Sequence, residues 1–194
     1  MSLLLCLALL QDKPDPEAPA EFKVRLETSK GEVLLRVVRA WAPRGADRFH
    51  ALVTAGYYDD LRFYRVLPKF VAQFGLNGDP AVTQKWRESK IPDDPVVKKN
   101  LRGTLVFAKG EPNSRTTNVF FNLKDSAALD RSGFAPFAEV EEGMEVVDAL
   151  HAGYGDAPPK GRGPSQERIV KEGNAYLDKD FKDLDRLKKA VLIK

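Results

Sequence analysis

The run "EFKVRLETSKGEVLLRVVR" constrains the fold more than any other part of the chain. Phe22, Val24 and Leu26 alternate with charged residues, and Val33, Leu35 and Val37 repeat the pattern after "TSKG". A period of two puts each apolar set on one face of an extended strand. Two such strands around a short glycine-containing turn make an antiparallel hairpin with one buried face.

The period then changes. In "APRGADRFHALVTAGYY", Pro43 suits a first helical turn, Ala46, Phe49 and Val53 share a face, and Gly56 suits the exit. This predicts a helix capping the sheet. "RFYRVLPKFVAQFG" reads as two extended runs, with Pro68 marking an edge, a bend or a bulge between them. Residues 76–100 hold three prolines and many charges, which predicts a long surface loop. "GTLVFAKG", "NVFFNL" and "SGFAPFAEV" are short strands. Met144, Val147 and Leu150 stand at helical spacing, with Gly153 as a stop. "GYGDAPPKGRGPSQ" reads as a flexible loop and "ERIVKEGNAYL" as extended structure. Seven or eight short strands with an early and a late helix favour a closed antiparallel barrel whose ends the helices cover.

Both ends of the chain differ from this middle. "MSLLLCLALL" is too short to span a bilayer and resembles the apolar region of a secretory signal. The Pro/Ala/acid-rich stretch after it reads as a spacer. Residues 1–20 are therefore expected to be a signal-like or anchor segment with a linker, residues 21–177 the domain, and residues 178–194 a C-terminal extension. The signal-like start points to the periplasm or to secretion, and to the cytoplasm if it is not a signal. In the tail, Phe181, Leu184, Leu187 and Val191 fall at helical spacing. That predicts an amphipathic extension packed on the barrel, with partner binding as a second use.

Composition excludes several kinds of chemistry. At 43% apolar, 194 residues suffice for one domain with a proper core. Thirty-one basic against 28 acidic residues give little steering toward nucleic acid or an anionic membrane. One cysteine permits no disulfide within the chain, and two distant histidines supply too few ligands for a zinc site. No nucleophile-elbow motif is present. "GLNGD" lacks the lysine and spacing of a phosphate loop. Neither a metal nor a cofactor is expected.

What remains is Arg65, set among aromatic and branched apolar residues, with Gln73 eight positions on. An isolated arginine in such a strand ordinarily lays its stem along the core and its head in water. The order of the segments points elsewhere. The hairpin, the helix, "FYRVLPKFVAQFG", "GTLVFAKGEPNSRTTNVFFN", "LDRSGFAPFAEV" and "GMEVVDAL" follow one another as in the cyclophilin family of peptidyl-prolyl cis-trans isomerases, which the chain resembles over residues 22–175. The resemblance implies a mainly β fold, an eight-stranded antiparallel barrel capped by two α-helices.

By the same resemblance Arg65 is the catalytic arginine and Gln73 its substrate-binding neighbour. Phe70, Val71, Phe120, Leu129 and Phe134 would wall a proline pocket. Ala108 would lie under the bound peptide, and Lys109 would pair with it through its backbone. Asn118 stands where glutamine is common, and Phe134 where histidine or tyrosine is usual. The implied activity is rotation about Xaa-Pro bonds in proline-containing polypeptides, assisting folding, by a chain in which nothing demands more than a monomer. The chemistry suits these residue types. No covalent bond breaks, so neither nucleophile nor metal is required. As the amide twists, the proline nitrogen gains a lone pair that a fixed cationic donor can meet. A rival reading keeps the pocket but not the turnover, leaving a proline-peptide binding module.

Overall fold

The structure, a computed structural model, describes residues 14–193. The hairpin forms as the alternation predicts. Strands β1 (Glu21–Thr28) and β2 (Glu32–Val38) pair antiparallel, from Glu21 opposite Val38 to Glu27 opposite Glu32. Val24, Leu26, Val33, Leu35 and Val37 are buried in the core, and Phe22 packs against it while partly exposed. Thr28 fastens the turn, donating from its N–H (2.9 Å) and its Oγ1 (2.7 Å) to the Gly31 carbonyl.

Helix α1 (Pro43–Thr54) buries Ala46, Phe49, Leu52 and Val53. The Phe49 ring lies 5.0 Å from Phe137 and 5.3 Å from Tyr58. Each large apolar side chain buried in this way contributes about 1.5–3 kcal/mol, which holds α1 against the sheet.

The remaining strands are β3 (Leu61–Arg62), β4 (Arg65–Leu67), β5 (Val71–Phe74), β6 (Thr104–Phe107), β7 (Val119–Asn122), β8 (Pro136–Glu142) and β9 (Arg186–Ile193). All nine join one antiparallel sheet in the order β3-β9-β1-β2-β8-β6-β7-β5-β4. Its two edge strands, β3 and β4, are consecutive in the chain and separated only by Phe63 and Tyr64. The sheet therefore curls until its edges meet through the covalent backbone, and the barrel has nine strands where eight were expected. Pro68 takes the second position of the tight β4–β5 turn, which the Phe70 N–H closes on the Leu67 carbonyl at 3.0 Å.

Three stretches differ from the sequence reading. The tail is strand β9, paired with both β1 and β3, so it belongs to the barrel and is not a helical extension beyond residue 177. The four residues at helical spacing do not share one element. Phe181 and Leu184 precede β9 and belong to a separate small core. A register shift between Glu27 and Thr28 leaves Lys188 without a partner on β1, so that Leu187 and Ala190 face the main core while Val191, opposite Arg25, does not. Residues 166–180 are not extended. They form α5 (Gln166–Glu172) and α6 (Asn174–Asp180), whose Ile169, Tyr176 and Leu177 build a second small core with Tyr64, Leu76 and Leu184. The surface loop 76–100 contains α2 (Pro80–Arg87), capped by Asp79, whose side chain accepts from the Ala81 N–H at 2.8 Å. The late helix stands as predicted, as the short α4 (Met144–Asp148).

The signal-like run, residues 1–10, lies outside the described residues. The end of the supposed linker does not hang free. Asp15 bonds to buried Arg48 at 2.7 Å, and the Ala18 N–H donates to Asp47 at 2.9 Å. Among the described residues, no helix is long and apolar enough to cross a membrane.

Candidate active site

Four strands place one residue each in a single row across the sheet. Arg65 on β4 faces Gln73 on β5, Gln73 faces Phe120 on β7, and Phe120 faces Val106 on β6. Directly opposed residues of antiparallel strands share a face. Their chain neighbours Val66, Ala72, Phe74, Val119, Phe121, Leu105 and Phe107 belong to the main core. The row thus projects from the opposite side of the sheet, and a one-residue slip would exchange core and site.

On that outer side Val71, Val106 and Phe120 form a separate apolar cluster, with Phe70, Ala108, Leu129 and Phe134 packed against it. Leu129 comes from α3 (Ala127–Arg131), and Phe134 stands edge-on to Phe120 at 5.8 Å. Asn100, only 1% exposed, fixes this wall. Its side-chain amide donates to Asp130 (2.7 Å) and to the Phe134 carbonyl (2.8 Å). The result is an open notch of about 330 Å³, lined by Arg65, Phe70, Val71, Gln73, Ala108, Lys109, Phe120, Leu129 and Phe134, together with Asp156 and Gln166.

Three bonds hold the Arg65 guanidinium. Nε and Nη2 donate to the two carboxylate oxygens of Asp156, at 3.0 and 3.1 Å, and Nη1 donates to Gln73 Oε1 at 3.2 Å. A guanidinium carries five N–H donors, so Nη1 and Nη2 each keep one. Gln73 is 7% exposed. Its oxygen is occupied by Arg65, which leaves its amide N–H groups as donors.

Two of the expected residues sit differently from the rest. Asn118 does not line the notch. It lies on the wall of the adjoining cleft of about 860 Å³ between α2, α5 and the 116–118 segment. Tyr64 donates to its Oδ1 at 3.2 Å. Burial pushes the Tyr64 phenol well up, so it stays a neutral donor. With its oxygen so engaged, Asn118 keeps its NH2 as a donor. The approach of this segment depends on Gly75 at the end of β5, with φ +116°; a Cβ there would lie 2.4 Å from the Thr117 carbonyl. Lys109 lines the notch, but its Nζ pairs with Asp93 at 2.7 Å and lies 5.6 Å from the Phe134 ring centroid. Its side chain therefore braces the wall.

A family model described as "Cyclophilin type peptidyl-prolyl cis-trans isomerase/CLD" matches residues 23–172. The chain belongs to the cyclophilin-type peptidyl-prolyl cis-trans isomerases. This cyclophilin is similar to the peptidyl-prolyl cis-trans isomerase cyp18 of Streptomyces antibioticus, 35% identical over 138 residues, covering 66% of this chain and 81% of that protein. It is likewise 32% identical over 136 residues to peptidyl-prolyl cis-trans isomerase B of Escherichia coli, covering 66% and 82%. In fold it resembles a cyclophilin-type isomerase of Cryptosporidium parvum, with a TM-score of 0.65 at 22% identity, over 90% of this chain and 98% of that one.

Asp156, Gln166, Tyr64 and Asn100 are the site-forming residues that the sequence reading missed. Asp156 lies in "GYGDAPPKGRG", and nothing in that stretch announces a partner far back in the chain. Arg65, by its hydrogen bonds, holds the Asp156 carboxyl below the usual carboxylate range. A depressed carboxylate contributes stability above its unfolded pKa of about 3.9 and loses it as pH falls through the lower folded value. The bridge is therefore ionised at every pH above about 5. The notch contains no histidine. Exchange of an uncharged proline peptide is expected to be flat from about pH 5 to 8. A rate profile checks this, and a step within that window would contradict it.

Proposed function

We propose that the notch seats the ring of a proline and that Arg65 drives rotation about the Xaa-Pro bond. The carrying observation is the placing of Arg65: a cation beside an apolar wall, fixed on two sides, with one N–H left on each terminal nitrogen. Phe70, Val71, Phe120, Leu129 and Phe134 receive the ring, which has no N–H to satisfy. Gln73 and the backbone around Ala108 and Lys109 hold the flanking peptide. As the amide twists, resonance is lost and the imide nitrogen becomes pyramidal, and Arg65 donates to its lone pair. That bond is weak to the planar amide and strong to the twisted one, which is what lowers a barrier.

The energies are commensurate. Uncatalysed rotation crosses a barrier of about 20 kcal/mol, and a turnover near 10 per second corresponds to about 16 kcal/mol. One pre-placed donor in a water-poor site supplies about 2.7–4 kcal/mol. The substrates are proline-containing polypeptides, and nearly balanced charge gives no reason to add nucleic acid. The described residues of one chain line the notch, so a monomer suffices. Support from a relative comes from the Cryptosporidium parvum cyclophilin crystallised in the presence of the dipeptide Ala-Pro, which shares this fold at 23% identity and a TM-score of 0.65, over 89% of this chain and 99% of that one.

Exchange in a short Xaa-Pro peptide, followed by NMR with and without protein, tests the proposal. The protein is expected to accelerate it. Phe120→Ala removes a wall but not the donor, so kcat/KM should fall about tenfold, mainly through KM. Peptide binding without any acceleration would leave only a binding module.

A further inference from the structure

The loop that carries Asp156 is built, not slack. The Arg162 N–H donates to the Tyr154 carbonyl at 3.0 Å, and the Gly163 N–H donates to the Asp156 carbonyl at 2.7 Å. The chain folds back so tightly that a Cβ on Gly161 would lie 2.3 Å from the Asp156 carbonyl oxygen. The carboxylate is also held from its own side, since the Ala157 N–H donates to Oδ1 at 2.9 Å. Beyond the loop, α5 and α6 anchor the segment to the barrel next to Arg65. Ile169, Tyr176 and Leu177 pack on Tyr64, and Asp178 takes the buried Arg62 at 2.8 Å. Two successive barrel residues, Tyr64 and Arg65, are thus gripped by one segment, the first by its helices and the second by its carboxylate.

We infer that Asp156 is a positioning residue for the isomerisation, clamping Arg65 side-on so that the remaining Nη1 and Nη2 protons face the notch. This rests on the reading of Arg65 as the donor to the imide nitrogen. The geometry separates the two jobs of the guanidinium. Nε and one Nη2 proton go to Asp156, one Nη1 proton goes to Gln73, and the substrate meets what is left. An arginine held by Gln73 alone could swing about its long stem, whereas a bidentate carboxylate fixes both the plane and the direction of the fork. Asp156 does not act on the substrate itself. As an acceptor without a proton it has nothing to give the imide nitrogen.

The test is Asp156→Asn, which keeps the size and loses the second acceptor. Turnover is expected to fall about 10- to 100-fold, the effect of a misplaced catalytic group, with KM within about twofold of wild type. The Arg65 Nε proton supplies an independent readout. In wild type it should give a resolved, slowly exchanging NMR signal, and in Asp156→Asn that signal should be lost while the signals of core residues such as Phe121 stay. Unchanged or raised turnover in the variant overturns the inference, as does a loss carried by KM alone. A wild-type protein with no activity would instead defeat the isomerase reading itself, so the two failures can be told apart.

Discussion

Replacing Arg65 with alanine is expected to lower kcat/KM for Xaa-Pro exchange about 100- to 1000-fold with little change in the melting temperature. The two halves of that expectation rest on the same register. Arg65 and Val66 are adjacent on β4 and point to opposite sides, and only Val66 reaches the main core. Arg65 keeps 22% of its side chain exposed, so its removal opens no cavity under the sheet. On the proposed mechanism, its loss takes away the one charge-assisted donor aimed at the imide nitrogen. Arg65→Lys is expected to recover little. A lysine keeps the charge, but as a single ammonium it cannot hold both Asp156 oxygens and Gln73 and still face the notch. NMR exchange at equal protein concentration, beside thermal unfolding by circular dichroism, provides both measurements. Equal rates for wild type and Arg65→Ala would remove Arg65 from the chemistry.

Replacing Asp94 with alanine should have the largest effect on stability, about 3–5 kcal/mol. The Asp94 side chain is wholly buried and serves two distant segments. It accepts from the Arg44 and Gly45 N–H groups at 3.1 and 2.9 Å, supplying the cap that Ala42 cannot give α1. It also pairs at 3.0 Å with Arg115, which is 3% exposed. Alanine would take from the buried guanidinium its one fully buried carboxylate partner, leaving it the partly exposed Asp93 at 3.3 Å and the Pro92 carbonyl, and would leave the helix start unsatisfied. For a domain of this size the loss amounts to roughly 6–20 °C in melting temperature. Asp94→Asn keeps one cap acceptor and should lose less. The consequence reaches the site, because Arg115 and the neighbouring Asp93 tie down the segment from Lys109 to Asn118. A variant melting within about 2 °C of wild type, well under the expected shift, would show that the pair is dispensable.

How much could be read in advance follows from where the information lies. The hairpin and α1 carry their period in contiguous residues, so their existence, face and core were legible. The notch was legible for a different reason. Arg65, Gln73 and Phe120 are set by alternation within strands, and the family's segments supplied the register between them. The tail was misread because residues at helical spacing come from two places: Phe181 and Leu184 precede β9, and the bulge at Lys188 turns Val191 to the face opposite Leu187. Residues 166–180 were misread because Ile169–Val170 and Ala175–Leu177 are apolar runs too short for the period to declare itself. Ser165 did offer a helix-start signal, and its side chain accepts from the Arg168 N–H. Asp156 was beyond local inference, since only the folded 150–185 segment brings it to Arg65. Where Asn118 would lie was likewise not legible: its side chain accepts from Tyr64 and lines the neighbouring cleft rather than the notch.

The seating of β9 between β1 and β3 sets a condition on biosynthesis. A ribosome completes every other strand before residues 186–193 exist, and until then two seams of the nascent sheet carry unpaired amides and carbonyls, open to any stray extended peptide. The pairing that shuts them joins Lys23 to Ile193, nearly the full length of the chain, and contacts so remote in sequence form slowly. A catalyst of other chains' slow folding steps thus cannot finish its own barrel until residues 186–193 have been made and have found both seams.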